Sequence, residues 1–281
     1  MYLISRTQST RQINGQQQAN GDDAADERSI QRPVSPSAET DNGDGWLEVG
    51  KKQKTNVVRS TETRISAITR LFGGTIRSHL RTPGAKDSVT LEPYQPLQLD
   101  VQSSEISSIA DALKHLSAPE VVPGVWSASR KANVDATKQI YVEAFPPVLM
   151  LHLKRFVYDS QARDVVKRSK PVAYGTELDI PAEIQSPGRK VNVKYRLFGV
   201  VYHHGTSASG GHYTVAVSRQ DKAGWIHFDD ESVTAVPTEQ VIVSPQEADE
   251  AKEGRGNTGG LLIGGRERCA YLLFYQRVRA A

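Results

Sequence analysis

The chain has 281 residues, enough for one large domain or two small ones. Lys plus Arg is 35 and Asp plus Glu is 32, so the formal charge of +3 is near balance and gives no reason to expect nucleic acid as a partner. A single cysteine excludes an internal disulfide framework and any four-cysteine zinc site, and no apolar run approaches the roughly 20 residues of a membrane span.

Residues 1–44 are rich in Gln, Asn, Asp, Ser and Gly and hold almost nothing to bury, which predicts a disordered tail. The first residues lack the apolar centre of a signal peptide, so an intracellular, reducing location is expected: the cytoplasm, with the nucleus as a second one. Order is expected from residue 45 to 279. Lys51, Lys52 and Lys54 read as a solvated basic run. Residues 65–81, β-branched and interrupted by Gly73-Gly74, predict a strand pair or a bulged strand. Residues 88–101 predict one or two strands. Ile106, Ile109, Ala110, Leu113 and Leu116 recur at helical spacing, with Ser103 or Ser104 as N-cap and Pro119 as the stop. Residues 121–136 read as a loop, and 138–145 and 148–158 as strands. In the second of these Leu149, Leu151 and Leu153 share one face and Met150, His152 and Phe156 the other, the pattern of an interior strand with a structural His152. Residues 195–202 predict another buried strand, 232–236 and 270–278 the rest of an antiparallel meander, and 245–265 a mobile insertion, acidic and then Gly-rich.

The stretch that carries chemistry lies inside that meander. His203-His204 ends the 195–202 strand, a Gly/Ser-rich loop follows, and Gly210-Gly211-His212-Tyr213 opens the next strand. Alternation puts His212, Thr214, Ala216 and Ser218 on one face, and Tyr213, Val215 and Val217 on the other. A turn at 220–224 returns the chain through Trp225-Ile226-His227-Phe228-Asp229-Asp230. If the apolar faces of both strands pack on one core, His212 and Asp229 share a side and Asp230 does not. A carboxylate beside an imidazole fixes its tautomer and stabilises the imidazolium, which a general base in acyl transfer needs. On spacing alone a structural histidine is the commoner reading. Ser207 and Ser209 lack a nucleophile-elbow pattern.

Gly-Gly-His-Tyr, Trp-Ile-His-Phe-Asp-Asp and Ala270-Tyr271-Leu272-Leu273-Phe274-Tyr275 together resemble the histidine box of the ubiquitin-specific proteases. Pro146-Pro147-Val148-Leu149-Met150-Leu151-His152-Leu153-Lys154-Arg155-Phe156 resembles a second block of that family. Phe72-Gly73-Gly74-Thr75-Ile76-Arg77-Ser78 and Tyr94-Gln95-Pro96-Leu97-Gln98-Leu99-Asp100 find matches in the branch typified by ubiquitin-specific protease ten and its yeast counterpart. The resemblance implies an α+β, papain-like fold, here its fingers and palm, dominated by an antiparallel sheet with few helices. It implies a deubiquitinating cysteine protease that cleaves at the C-terminal Gly of ubiquitin, with ubiquitin and ubiquitylated proteins as partners; the single cysteine and the few convergent histidines give no reason to expect a metal, and no cofactor is expected. His212 would be the base and then the acid, and Asp229 the orienting carboxylate, favoured over Asp230. Gly210, Gly211 and Tyr213 would line the channel for the ubiquitin tail, and His204 would touch substrate from the loop rim.

The family's nucleophile box has no match here. Cys269, beside Ala270 at the start of the last strand, carries no role in the family and reads as a small residue entering a buried strand. The chain alone is therefore expected to be inactive, as the product of a split or truncated gene that needs a missing thumb segment or another protein partner. The alternative is a non-catalytic ubiquitin-binding pseudoenzyme or scaffold. Either way, apolar surface left uncovered predicts a chain prone to associate.

Overall fold

Leu149, Leu151 and Leu153 alternate along one strand, and all three are fully buried; the central sheet is built around such strands. The computed structural model describes residues 46–49, 55–61, 64–161, 163–189, 191–207, 210–221, 223–252, 262–263 and 266–278, all within a unit spanning Gly43–Ala281. The predicted tail at 1–44 and the basic run at Lys51, Lys52 and Lys54 lie outside the described residues. Among those described, no helix is long and apolar enough to cross a membrane.

The chain begins with β1 (Trp46–Val49), β2 (Thr55–Ser60), α1 (Ala67–Phe72), β3 (Gly74–Arg81), β4 (Ser88–Tyr94) and β5 (Pro96–Asp100). It continues with α2 (Ile109–Leu116), β6 (Glu120–Ser127), β7 (Ala132–Ala144) and β8 (Val148–Lys154). A hairpin of β9 (Phe156–Asp159) and β10 (Asp164–Lys167) and the short β11 (Glu177–Asp179) lead to β12 (Lys194–His204), β13 (His212–Ser218), β14 (Trp225–Asp229) and β15 (Ser232–Val236). Helices α3 (Thr238–Val241) and α4 (Pro245–Lys252), a small β16 (Leu262–Ile263) and β17 (Arg266–Glu267) hairpin, and β18 (Ala270–Arg277) complete it. Among the described residues one sheet has six strands in the order β1-β2-β4-β3-β7-β6. A second has eight, ordered β15-β14-β13-β12-β18-β8-β5 with β11 paired to β12. The second sheet is antiparallel except where β5 runs parallel to β8.

Residues 65–72 are not a strand. Ser66 caps α1 by accepting from the Thr69 N–H at 3.1 Å, while the Thr69 hydroxyl accepts from the Ser66 N–H at 2.8 Å, and this local box outweighs the β-branched composition. Gly73 and Gly74 divide helix from strand: a Cβ on Gly74 would lie 2.4 Å from the Tyr94 ring. No side chain of α1 is buried, and Ile65, Ile68 and Leu71 stand in solvent. The second helix starts later than predicted. Ser108 is its N-cap and forms a box with Asp111, so Ile106 is buried in the preceding turn while Ile109, Ala112 and Leu113 face the core.

Residues 121–136 are not a loop but the hairpin of β6 and β7. Pro123-Gly124 forms a bulge in β6: the register shifts between Val122 and Val125, and Gly124 has φ 73°. Part of the predicted insertion is also ordered helix. In α4, Ser244 and Glu247 exchange capping bonds, and Ala248 is buried. Residues 253–261 and 264–265 of that insertion lie outside the described residues. Two buried arginines tie these pieces together. Arg155 donates to the carbonyls of Ala270, Arg168 and Lys170. Arg268 donates to the carbonyls of Glu239 and Ile242 and to the Glu247 carboxylate.

Candidate active site

Three adjacent strands of the eight-stranded sheet build the site. His204 at the end of β12 pairs with His212 at the start of β13. Ala216 of β13 pairs with His227 of β14. Side chains alternate across a pleated strand, so His204, His212, Thr214, Ala216, Trp225, His227 and Asp229 share one face. That face is the buried one: Thr214, Ala216, Trp225 and His227 have almost no exposure. The sequence reading had the apolar residues of these strands facing the core. The reverse holds, because Trp225 and the histidine rings fill the interior while Tyr213, Val217 and Phe228 lie in solvent. The shared side of His212 and Asp229 survives this inversion, since both strands are inverted together and the β13–β14 register keeps the two residues on one face.

His212 Nε2 is hydrogen-bonded to Asp229 Oδ1, and the other oxygen, Oδ2, accepts from Arg266 Nε at 2.9 Å. The bond from His212, helped by Arg266, holds the Asp229 carboxyl below its usual range. Asp229 is therefore an anion with both oxygens engaged, and the His212 nitrogen left over is Nδ1. Asp230 Oδ2 stands 4.0 Å from Nδ1, beyond hydrogen-bond reach, on a side chain that is 80% exposed. Its φ of 51° belongs to the two-residue turn between β14 and β15. Ligand-type atoms of His212, Asp229 and Asp230 fall within 4.8 Å of one another. With Asp229 already bonded to an imidazole and a guanidinium, the group has the chemistry of a base and its orienter rather than of a cation centre.

His204 is buried, at 7% exposure, and does not reach out from a loop rim. Its Nε2 is 2.8 Å from the Thr214 hydroxyl, and its ring stacks on that of His212 with centroids 6.0 Å apart. Burial, then the nearby Arg266 and His212 charges, push its pKa down to about 4, so it backs His212 as a neutral ring. His203 points to the opposite face, against Phe156 at 5.1 Å and Tyr213 at 4.8 Å. It is buried too, and the same burial holds its pKa down. His152 packs edge-on to Tyr271 in the same aromatic cluster.

The two glycines before His212 differ. A Cβ on Gly211 would sit 2.2 Å from His203 Nε2 and 2.8 Å from the His204 carbonyl, so this glycine is needed by the chain's own packing; Gly210 has open space around it. Tyr213 is 52% exposed and, one residue on from His212, lies on the other side of the sheet. The loop after β12 is tied down by Lys167, whose ammonium donates to the carbonyls of His203 at 2.7 Å and Gly205 at 2.8 Å. Cys269 is buried, at 2% exposure, and its carbonyl accepts from the His203 N–H at 3.0 Å. Sequence reasoning missed Arg266. It lies in a polar, Gly-rich segment with no periodicity, and nothing local links it to residue 229.

The eight-stranded sheet thus carries a histidine–carboxylate pair, His212 and Asp229, on one face. The ubiquitin carboxyl-terminal hydrolase family matches residues 24–275. The chain is 49% identical over 235 residues to the probable ubiquitin carboxyl-terminal hydrolase 3 of Schizosaccharomyces pombe, covering 83% of this chain and 44% of that protein. It is 41% identical over 247 residues to ubiquitin carboxyl-terminal hydrolase 10 of Rattus norvegicus, covering 85% of this chain and 28% of that one. Among solved structures the yeast SAGA DUB module superposes with a TM-score of 0.60 at 23% identity, over 76% of this chain and 42% of that one. The SAGA DUB module bound to ubiquitin aldehyde gives 0.59 at the same identity. The chain belongs to the ubiquitin carboxyl-terminal hydrolase family, the ubiquitin-specific proteases, and has their α+β fold. It spans less than half the length of these relatives.

Proposed function

We propose that this chain supplies the general base of a deubiquitinating thiol protease that cleaves after the C-terminal Gly of ubiquitin. The observation that carries the reading is the His212–Asp229 bond, which leaves Nδ1 of His212 as the free proton acceptor. In the reaction a cysteine thiol gives its proton to Nδ1, and the thiolate attacks the Gly carbonyl. The tetrahedral adduct collapses to a thioester as His212 returns the proton to the leaving amine. Water, deprotonated by the same imidazole, then releases ubiquitin and restores the thiol. Asp229 holds the ring and stabilises the imidazolium; exposed Asp230 is the lesser candidate for that role. Gly210 and Tyr213 are accessible enough to meet the ubiquitin tail, while Gly211 and His204 support the site from within.

Cys269, the single cysteine of the chain, is buried, and in this reading the nucleophile comes from outside residues 45–279, the fingers and palm part of the catalytic domain. A separate thumb segment is its source in this reading, and the cytoplasm, with the nucleus as alternative, its place of action. The buried Cys269 equally favours a second reading, a ubiquitin-binding protein without catalysis. Hydrolysis of a ubiquitin C-terminal fluorogenic amide, with ubiquitin binding measured on the same preparation, separates the two. Binding without turnover is expected for the chain alone. Turnover on adding a nucleophile-bearing thumb segment, lost in His212→Ala, supports the protease reading. Persistent binding with no turnover supports the second, and absence of binding refutes both.

A further inference from the structure

Asp229 is held from two sides, and only one of them belongs to the base itself. We infer that Arg266 is a positioning residue for the histidine–carboxylate pair: its guanidinium fixes the direction of Asp229 Oδ1 and sets how tightly His212 holds its proton. The inference rests on His212 being the base.

The geometry is specific. Arg266 Nε reaches Asp229 Oδ2 at 2.9 Å while Oδ1 is bonded to His212. Rotation of the carboxylate would break both bonds at once, so each holds the other in place. The Asp229 side chain keeps only 18% of its surface exposed, while that of Arg266 is 48% exposed. Arg266 is itself anchored. Its strand partner Ile263 is fully buried, and Arg268, two residues on, is buried and bonded to α3 and α4.

The electrostatic consequence follows from the groups around His212. Asp229 and Asp230 face it from the end of β14 and the following turn, and neutral His204 stacks on it from β12. His227 lies on the same face of β14. Lys167 of β10 lies close enough to His204 to act on its charge. Two carboxylates beside an imidazole favour its charged form, which is useless as a base near neutral pH. A cation on the far oxygen of Asp229 offsets that pull and keeps the carboxylate ionised. Arg266 thus orients the carboxylate that holds the base and sets a positive charge opposite the two carboxylates.

The test is an NMR titration of the 281-residue chain with ¹⁵N-labelled histidine, the His212 signal assigned by its loss in His212→Ala. Arg266→Gln should raise the His212 pKa by about one unit, the scale of a unit charge a few ångströms away near a surface. Arg266→Lys, which keeps the charge but lacks the Nε–H, should recover at least half of that shift. Arg266→Met, which keeps the stem without charge or donor, is the second neutral variant and should give the same rise if the glutamine variant does not fold. If self-association broadens the spectra, the pH dependence of diethylpyrocarbonate modification at His212, read by mass spectrometry, gives the same pKa. An unchanged pKa in the neutral variants, or a lysine variant shifted as far as they are, overturns the proposal. None of these readouts needs turnover, so a failed hydrolysis assay and a failed titration point to different errors.

Discussion

Acid should destabilise this protein through its buried histidines, and the share carried by His204 can be worked out. Burial and neighbouring positive charge bring its pKa to about 4 in the folded chain, against about 6.5 for an unperturbed imidazole. The folded value is the lower one, so between the two the unfolded chain binds a proton that the folded chain refuses. Stability then falls as pH drops below about 6.5 and levels off below about 4. Going from about pH 7 to about pH 5, linkage gives a loss of about 2 kcal/mol, or about 1 kcal/mol if solvent partly reaches the ring. Urea denaturation of the wild type and of His204→Gln at both pH values isolates the effect, since glutamine can still bond to Thr214 and does not titrate. His152, His203 and His227, all shifted in the same direction by burial, add to the acid sensitivity of both proteins alike. The expected result is a smaller loss in the variant at unchanged denaturant slope. Equal losses in the two proteins would show that His204 takes up protons in the folded state and does not back His212 as a neutral ring.

Three further outcomes follow from the packing. Arg155→Met removes the donor to three carbonyls, at 2.6, 3.1 and 2.7 Å, and should cost about 3–5 kcal/mol in chemical denaturation; a cost below about 1 kcal/mol would mean those carbonyls find other donors. Gly211→Ala should lose about 2 kcal/mol, because the new methyl meets His203 and the His204 carbonyl, whereas Gly210→Ala, with nothing within 4 Å, should stay within about 0.5 kcal/mol of wild type. Thermal melts of the pair check this, and equal effects would refute the distinction. Ser108→Ala removes the cap of α2 and should lower stability by about 1 kcal/mol while leaving the His212 titration unmoved.

Much of the central sheet was legible in the chain. The run Leu149-Met150-Leu151-His152-Leu153 announces an interior strand and is one, between β18 and β5. The meander through β13, β14 and β15 follows from alternation broken by short polar turns. Elements set by a few side-chain bonds were less legible. The α1 helix is decided by the Ser66–Thr69 box against a β-branched composition. The β6–β7 hairpin was read as a loop because its first strand is interrupted by Pro123-Gly124, which the structure accommodates as a bulge.

By itself the sequence determined which residues of each strand share a face, and it put His212 and Asp229 together only on the condition that the two apolar faces pack on one core; the β13–β14 register supplies the relation between the strands. Alternation alone would put Asp230 on the other side, but Asp230 is a turn residue with φ 51°, and its carboxylate stands 4.0 Å from His212 Nδ1. Only the tertiary structure decided that this shared face is the interior one, since that depends on what Trp225 and the histidine rings pack against. It alone turned His204 inward onto Thr214, used Gly211 to admit the His203 ring, and brought Arg266 across 37 positions of sequence to Asp229. Contacts of that range leave no period or local pattern in a chain; they exist only once the sheet has closed and the buried Ile263 has fixed the hairpin beside it.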